Sequence, residues 1–265
     1  MKIQDRIFYV TGGCSGLGLA VVEDILEQNG LVVILDLVEE RGLKLQKEFL
    51  KRLIFHRCDI RSESDVLKGL QRAVETWPKK LIGGLIHCAG IGTVEKTIDS
   101  KGYPASLETF KKIIDINLTG SFNVARLVAS QIVKQSTSDS LGKKLPIEDQ
   151  GVIILTSSTS YEDGQVGQAA YASSKGGVAS LVLPMSRDLA RFGIRVIGVA
   201  PSLFETSMTQ ALSAKLRESL LRGLEFPRRF GQPKDFSSLI SELIRNEYLN
   251  GTVIRIDGAT RLGKL

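Results

Sequence analysis

Tyr171 and Lys175 stand four residues apart in GQAAYASSKGG, and a helix opening near Tyr171 puts both side chains on one face with their tips converging. A free phenol titrates near pH ~10, and a fixed ammonium beside it favours the phenolate and lowers that value. The pair is therefore a candidate acid/base near neutrality. Ser158 follows the apolar run at 152–155, which reads as a buried strand, so its hydroxyl can hold a substrate oxygen beside the phenol. Tyrosine and lysine at this spacing are common on ordinary helices. Their chemistry depends on what the rest of the chain places beside them.

A strand at 6–11 runs into Gly12-Gly13-Cys14-Ser15-Gly16-Leu17-Gly18, and a helix follows with Leu19, Val22, Ile25 and Leu26 at helical spacing until Asn29-Gly30 stops it. Strand, glycine turn and helix N-terminus make a phosphate site, because small residues let backbone N–H groups approach a pyrophosphate and the helix dipole favours its charge. The apolar run 31–35 ends at Asp36, 18 residues after Gly18, where a carboxylate can accept bonds from an adenosine ribose. A 2′-phosphate would meet like charge there, so NAD is expected over NADP. The alternation continues with a helix at 41–50, a strand at 53–57 ending before Asp59-Ile60, a helix opening near Ser62, and a strand at 81–88 ending in Cys88-Ala89-Gly90. Repeated βα units predict a single-domain, Rossmann-type, doubly wound parallel sheet of about seven strands with helices on both faces, its ligands held at the carboxyl ends of the strands.

A chain of 265 residues suits one domain over 1–265. No apolar run approaches the ~18 residues that cross a bilayer, and neither a signal peptide nor a cleavable presequence is visible, so no membrane association is expected. Cys14, Cys58 and Cys88 are widely spaced and show no CxxC pattern, which predicts neither a disulfide nor a metal site. The net charge of +6 would attract anionic ligands, but the lysines and arginines are scattered and read mostly as a solvated surface.

Residues 106–130 read as helix interrupted at Asn117-Leu118-Thr119-Gly120, where a kink or a functional backbone group is expected. Residues 135–150 read as an exposed loop. The helix from Tyr171 runs to about Arg191, with Pro184 predicting a bend or local break, and a strand at 194–200 closes at Pro201. Residues 204–231 are expected to form a small helical substrate lid with Met208, Leu212, Leu216 and Leu220 on its underside and Lys215, Arg217, Arg222, Arg228 and Arg229 nearby. A helix at 234–245 and a strand at 253–256 complete the sheet.

In order and spacing, TGGCSGLG at 11–18, Asp36, Asp59, CAG at 88–90, NLTG at 117–120, Ser158 and Tyr171-Ala-Ser-Ser-Lys175 resemble the short-chain dehydrogenase/reductase family over nearly the whole chain. Within it, GQVGQAAYASSKGG at 164–177, PSLFET at 201–206, FPRRFGQP at 226–233, YLNGTVIRIDGA at 248–259 and the insertion at 92–110 resemble the type 2 3-hydroxyacyl-CoA dehydrogenases, which also act on hydroxysteroids. The resemblance implies a catalytic set of Asn117, Ser158, Tyr171 and Lys175. Tyr171 would move the alcohol proton, Lys175 would lower its pKa and bond the nicotinamide ribose, Ser158 would hold the substrate oxygen, and the Asn117 carbonyl would hold a relay water. It implies NAD contacts from Gly12, Ser15, Gly16, Leu17, Gly18, Asp36, Asp59, Ile60, Cys88, Ala89, Gly90, Tyr171, Lys175, Phe204 and Thr206, and substrate contacts from Ser158, Gln168 and Tyr171. The family's usual asparagine before the CAG turn is His87 here, read as a satisfied core histidine, and the glycine after the proline is Ser202.

The resemblance implies interconversion of a secondary alcohol and a ketone, (S)-3-hydroxyacyl-CoA foremost, by a homotetramer. The rival within the family is 3-oxoacyl-carrier-protein reductase, against which Asp36 argues. The rival of another class is a scaffold in an RNA-processing complex, which the positive charge permits. Gly263-Lys264-Leu265 approximates a peroxisomal Ser-Lys-Leu signal, and the resemblance also fits a mitochondrial matrix or the cytoplasm.

Overall fold

The computed structural model describes residues 1–136, 148–206, 209 and 214–261. Seven strands, β1 (Ile7–Thr11), β2 (Leu31–Asp36), β3 (Leu53–Arg57), β4 (Ile82–His87), β5 (Gly151–Thr156), β6 (Ile194–Pro201) and β7 (Val253–Ile256), pair in parallel in the order β3-β2-β1-β4-β5-β6-β7. The helices are α1 (Gly16–Glu27), α2 (Glu39–Glu48), α3 (Glu63–Thr76), α4 (Leu107–Ile114), α5 (Gly120–Ser136), α6 (Ala169–Ala190), α7 (Ala214–Arg222) and α8 (Pro233–Arg245). Strand order reverses between β1 and β4, and a crevice at such a switch point is where open α/β sheets bind ligands. Thr11 pairs with Leu35 on one side and with His87 on the other, so the glycine turn, Asp36 and the end of β4 arrive at one edge.

Period-two alternation divides the core. Tyr9 of β1, Leu85 of β4 and Ile153 of β5 face α3, α5 and α6, where Leu70, Val128 and Val178 meet them. Phe8, Ile86 and Ile154 point the other way, onto Val22 of α1 and Phe236 and Ile240 of α8. Strands buried on both faces explain the unbroken apolar runs in the sequence.

Two expectations change. Pro184 lies within α6 without ending it, because the proline and Ser180, whose carbonyl loses its N–H partner, are both exposed and water can replace the bond. The exposed loop assigned to 135–150 starts later, after Ser136, and is not exposed at its far end. Gln135 closes α5, accepting from Ile82 N at 2.8 Å and donating to Lys80 O at 2.7 Å, while Asp149 is buried in an ion pair with Arg195 at 2.8 Å. Residues 137–147 of that loop lie outside the described residues, as do Met208 and Leu212 of the lid stripe and Gly263-Lys264-Leu265. In the lid segment, α7 places Leu220 beside Leu224 and Phe230 in a small apolar cluster of its own.

Candidate active site

The turn between β1 and α1 is closed by steric necessity. Gly12 has φ +66°, and a Cβ there would lie 2.9 Å from Ala89 N, while a Cβ on Gly18 would strike the Gly12 carbonyl oxygen. Ser15 stands at the N-cap of α1 without capping it, which leaves the first-turn N–H groups of Gly16, Leu17 and Gly18 available to an anion. Gly16 also has positive φ, +52°, and an added Cβ would meet only the Thr206 side chain, at 3.4 Å, so Thr206 borders the turn. The Asp36 carboxylate is aimed by two backbone donors, Cys14 N and Val38 N, each at 3.0 Å. These features fit a dinucleotide: a donor cradle for the pyrophosphate and an oriented acceptor for a ribose.

The other cofactor-side residues divide by role. Asp59 is held by Arg61 at 2.6 Å, and that charged hydrogen bond keeps its carboxyl below the usual range. Ile60 is buried against Gly120 and its carbonyl accepts from Asn123 Nδ2 at 2.9 Å. The Phe204 ring belongs to the core, packed edge-on to Phe236 at 6.1 Å, so any contact it makes with a cofactor comes from its backbone.

Beyond the sheet edge, Lys175 is buried and its Nζ donates to Thr156 O at 2.8 Å, with the Tyr171 ring centroid 5.9 Å away. Burial brings its pKa down to about 8. The nearby Ser158 hydroxyl favours the phenolate, yet burial outweighs it and holds the Tyr171 phenol above its ordinary value. The expected lowering by Lys175 is therefore not the dominant effect, because desolvation of the phenolate wins.

The helical break at Asn117 is a π-turn over Asp115–Thr119 between α4 and α5. The Asn117 side chain bridges three elements, accepting from Ile91 N at 2.8 Å and donating to Ile91 O at 2.8 Å and Ser174 Oγ at 3.0 Å. Its carbonyl accepts the Ser121 hydroxyl at 2.5 Å. Gly90 lets these groups close up, since a Cβ there would lie 3.2 Å from Asn117 Oδ1 and 3.4 Å from Lys175 Nζ.

Two supporting residues escaped the sequence reading. Ser157 Oγ donates to Lys175 O at 2.8 Å, tying the end of β5 to α6. Thr11 Oγ1 accepts from Cys88 N and Ala89 N, both at 3.1 Å, and lies 2.9 Å from His87 Nδ1. With both hydroxyl lone pairs taken, the hydroxyl proton goes to Nδ1, so His87 is the neutral tautomer with hydrogen on Nε2. Burial agrees, pushing its pKa down to about 3. The reading of His87 as a satisfied core residue is half corrected: Nδ1 is paired, but Nε2 has no protein partner.

Gln168 Oε1 accepts from Gln165 N at 3.0 Å, so the residue expected to touch substrate also closes its own loop. That loop, Gly164 to Gln168, lines a groove of about 480 Å³ with Lys96, Thr97 and Ile98 of the insertion, beside the first turn of α6. Glu95 N donates to Gly167 O at 2.8 Å across it. Of the lid cations, Arg217 pairs with Glu205 and stacks on Phe230 at 4.5 Å, and Arg229 pairs with Asp235 at 2.6 Å.

Comparison with known proteins agrees with this arrangement. The sequence model of the family described as short chain dehydrogenase matches residues 6–217. The 3-hydroxyacyl-CoA dehydrogenase type-2 of Bos taurus is 41% identical over 98% of this chain and 97% of its own, and that of Homo sapiens is 40% identical over the same shares. The crystal structure of 3-hydroxyacyl-CoA dehydrogenase type-2 from Mycobacterium avium superposes with a TM-score of 0.88 at 32% identity, covering 97% of this chain and 96% of that one. A glycine cradle at the sheet's switch point, a tyrosine and buried lysine on α6, and these full-length relatives together place the chain in the short-chain dehydrogenase family, a family of oxidoreductases that use a nicotinamide cofactor.

Proposed function

We propose that the protein is an NAD-dependent dehydrogenase that interconverts (S)-3-hydroxyacyl-CoA and 3-oxoacyl-CoA, with hydroxysteroids as further substrates. The observation that carries this reading is Tyr171 on α6 beside buried Lys175, 5.9 Å from the ring centroid, on the same side of the sheet as the glycine turn and Asp36. Bound NAD supplies the hydride acceptor. In the oxidation direction the chain's own task is to take the hydroxyl proton. Ser158 donates a hydrogen bond that holds the substrate oxygen, and Tyr171 removes the proton as general base. Lys175 stabilises the negative charge on Tyr171, and the Asn117 carbonyl on its π-turn anchors the proton's exit. Asp36 supports NAD over NADP, because its carboxylate would face a 2′-phosphate. The acyl-CoA assignment rests on the full-length relatives.

Acetoacetyl-CoA reduction with NADH and with NADPH tests the reading. NADH should be the better donor by at least about tenfold, and Tyr171→Phe should lower kcat by about 10²–10⁴ with NADH affinity unchanged. A preference for NADPH, or full activity in Tyr171→Phe, would sink it. Exposed Phe110, Phe122 and Leu183 on α4, α5 and α6 support assembly as a homotetramer, which light scattering coupled to size exclusion measures directly.

A further inference from the structure

Arg255 lies in the middle of β7 with only 14% of its side chain exposed, yet none of its side-chain bonds serves the sheet. Its NH1 donates to Glu162 at 2.6 Å, its NH2 to Asp163 at 2.5 Å and to Thr260 O at 3.2 Å, and its Nε to Asp257 at 2.8 Å. Asp163 and Asp257 are themselves nearly buried, at 15% and 11% exposure. Arg261 adds a second, exposed cation on Asp257 at 2.9 Å. One guanidinium thus gathers three carboxylates from two distant parts of the chain.

The first part adjoins the candidate substrate groove, and the second touches the lid segment. Glu162 and Asp163 immediately precede the groove-lining loop that ends at the first turn of α6, where Ala172 N donates to Gln168 O at 2.7 Å, next to Tyr171. Asp257 organises the turn after β7 by accepting from Ala259 N at 3.0 Å, and Gly258 O of that turn accepts from Phe226 N at 3.4 Å, the end of the lid segment. Without the guanidinium, Asp163 and Asp257 would face each other as like charges in a largely dry setting, and their repulsion would separate the 161–168 loop from the turn after β7.

We propose that Arg255 is a positioning residue for the substrate, holding the 161–168 loop and the lid end at Phe226 in register with Tyr171. This rests on the function proposed above only for the identity of the substrate. A planar guanidinium with a fork of donors is needed, because a lysine ammonium cannot bond three carboxylates and a carbonyl in these directions at once.

The test compares the full-length wild type with Arg255→Met, Arg255→Lys, Asp163→Asn and the Arg255→Met/Asp163→Asn double variant, using acetoacetyl-CoA and NADH. Arg255→Met should raise KM for acetoacetyl-CoA by about tenfold or more while the Kd for NADH stays within about twofold, with Arg255→Lys in between. The double variant should be no worse than Arg255→Met alone, as two members of one network are non-additive. In hydrogen exchange, residues 161–168 and Phe226 should lose protection together while α5 keeps its own. If Arg255→Met does not fold, Asp163→Asn carries the same KM and exchange expectations. An unchanged KM, fully additive effects, or KM and NADH affinity worsening in step with a falling Tm would overturn the proposal. Inactivity of the wild type toward acetoacetyl-CoA would instead sink the acyl-CoA reading, and the exchange pattern would still decide the role of Arg255.

Discussion

Tyr171 acquires its chemistry from burial as much as from its neighbours. Desolvation raises the pKa of the phenol, Ser158 pulls the other way, and Lys175, itself brought down to about 8, gives one of its three N–H bonds to Thr156. His87 makes a separate prediction about pH. Its native pKa is about 3, whereas in an unfolded chain it titrates near ~6.5, so the unfolded state binds the extra proton between those values. Stability present above ~6.5 is lost as pH falls, by about 2 kcal/mol at pH 5 from this group alone. His87→Asn, which keeps an acceptor for the Thr11 hydroxyl, should flatten this part of the acid arm, and denaturant melts of both proteins at pH 7 and pH 5 measure it. Parallel acid arms would show that His87 does not govern it.

At the scale of elements, the π-turn is the least ordinary piece of backbone, and Asn117 holds it against the loop that follows β4 and against α6. Asn117→Ala would orphan Ile91 N, Ile91 O and a bond to Ser174 at once. Unmet buried groups cost about 1–3 kcal/mol each, so we expect a loss of at least about 2 kcal/mol in thermal or urea unfolding together with a fall in kcat. A variant as stable as the wild type would mean that water replaces the amide. The kink was legible from Asn117 and Gly120 in a helical pattern. The π geometry was not, since it depends on Ser121 and Ile91 lying where the fold brings them.

For the whole molecule, Arg195 closes the far end of the sheet. Its guanidinium donates to the carbonyls of Leu243, Ile244, Asn246 and Leu249 beyond or within the last turn of α8 and to Asp149, whose carboxylate also lies 3.6 Å from the Met1 amino group. Arg195→Met should destabilise the fold by about 3 kcal/mol, because it strands a buried carboxylate and uncaps a helix end. Adding Asp149→Asn should recover part of the loss, and urea melts of the two variants report it. No recovery would place the whole cost in the carbonyls. Arg61, Arg126 and Arg229 are exposed and paired with carboxylates, in keeping with a solvated charged surface, whereas Arg195 and Arg255 are largely buried exceptions.

What could be read from the chain alone was whatever depends on near neighbours: apolar runs that must be strands buried on both faces, a glycine turn that admits no side chain, caps such as Ser62, and Tyr171 with Lys175 on one helical face. The tertiary structure decided what depends on distant partners. Thr11 meets His87 across 76 residues, Arg195 meets Asp149 across 46 and Arg255 meets Asp163 across 92, and no local pattern reports such pairings. Protonation belongs to the same class. Desolvation is set by how many elements close over a group, so the upward shift of Tyr171 and the tautomer of His87 emerge only once the sheet, the π-turn and α6 are assembled around them.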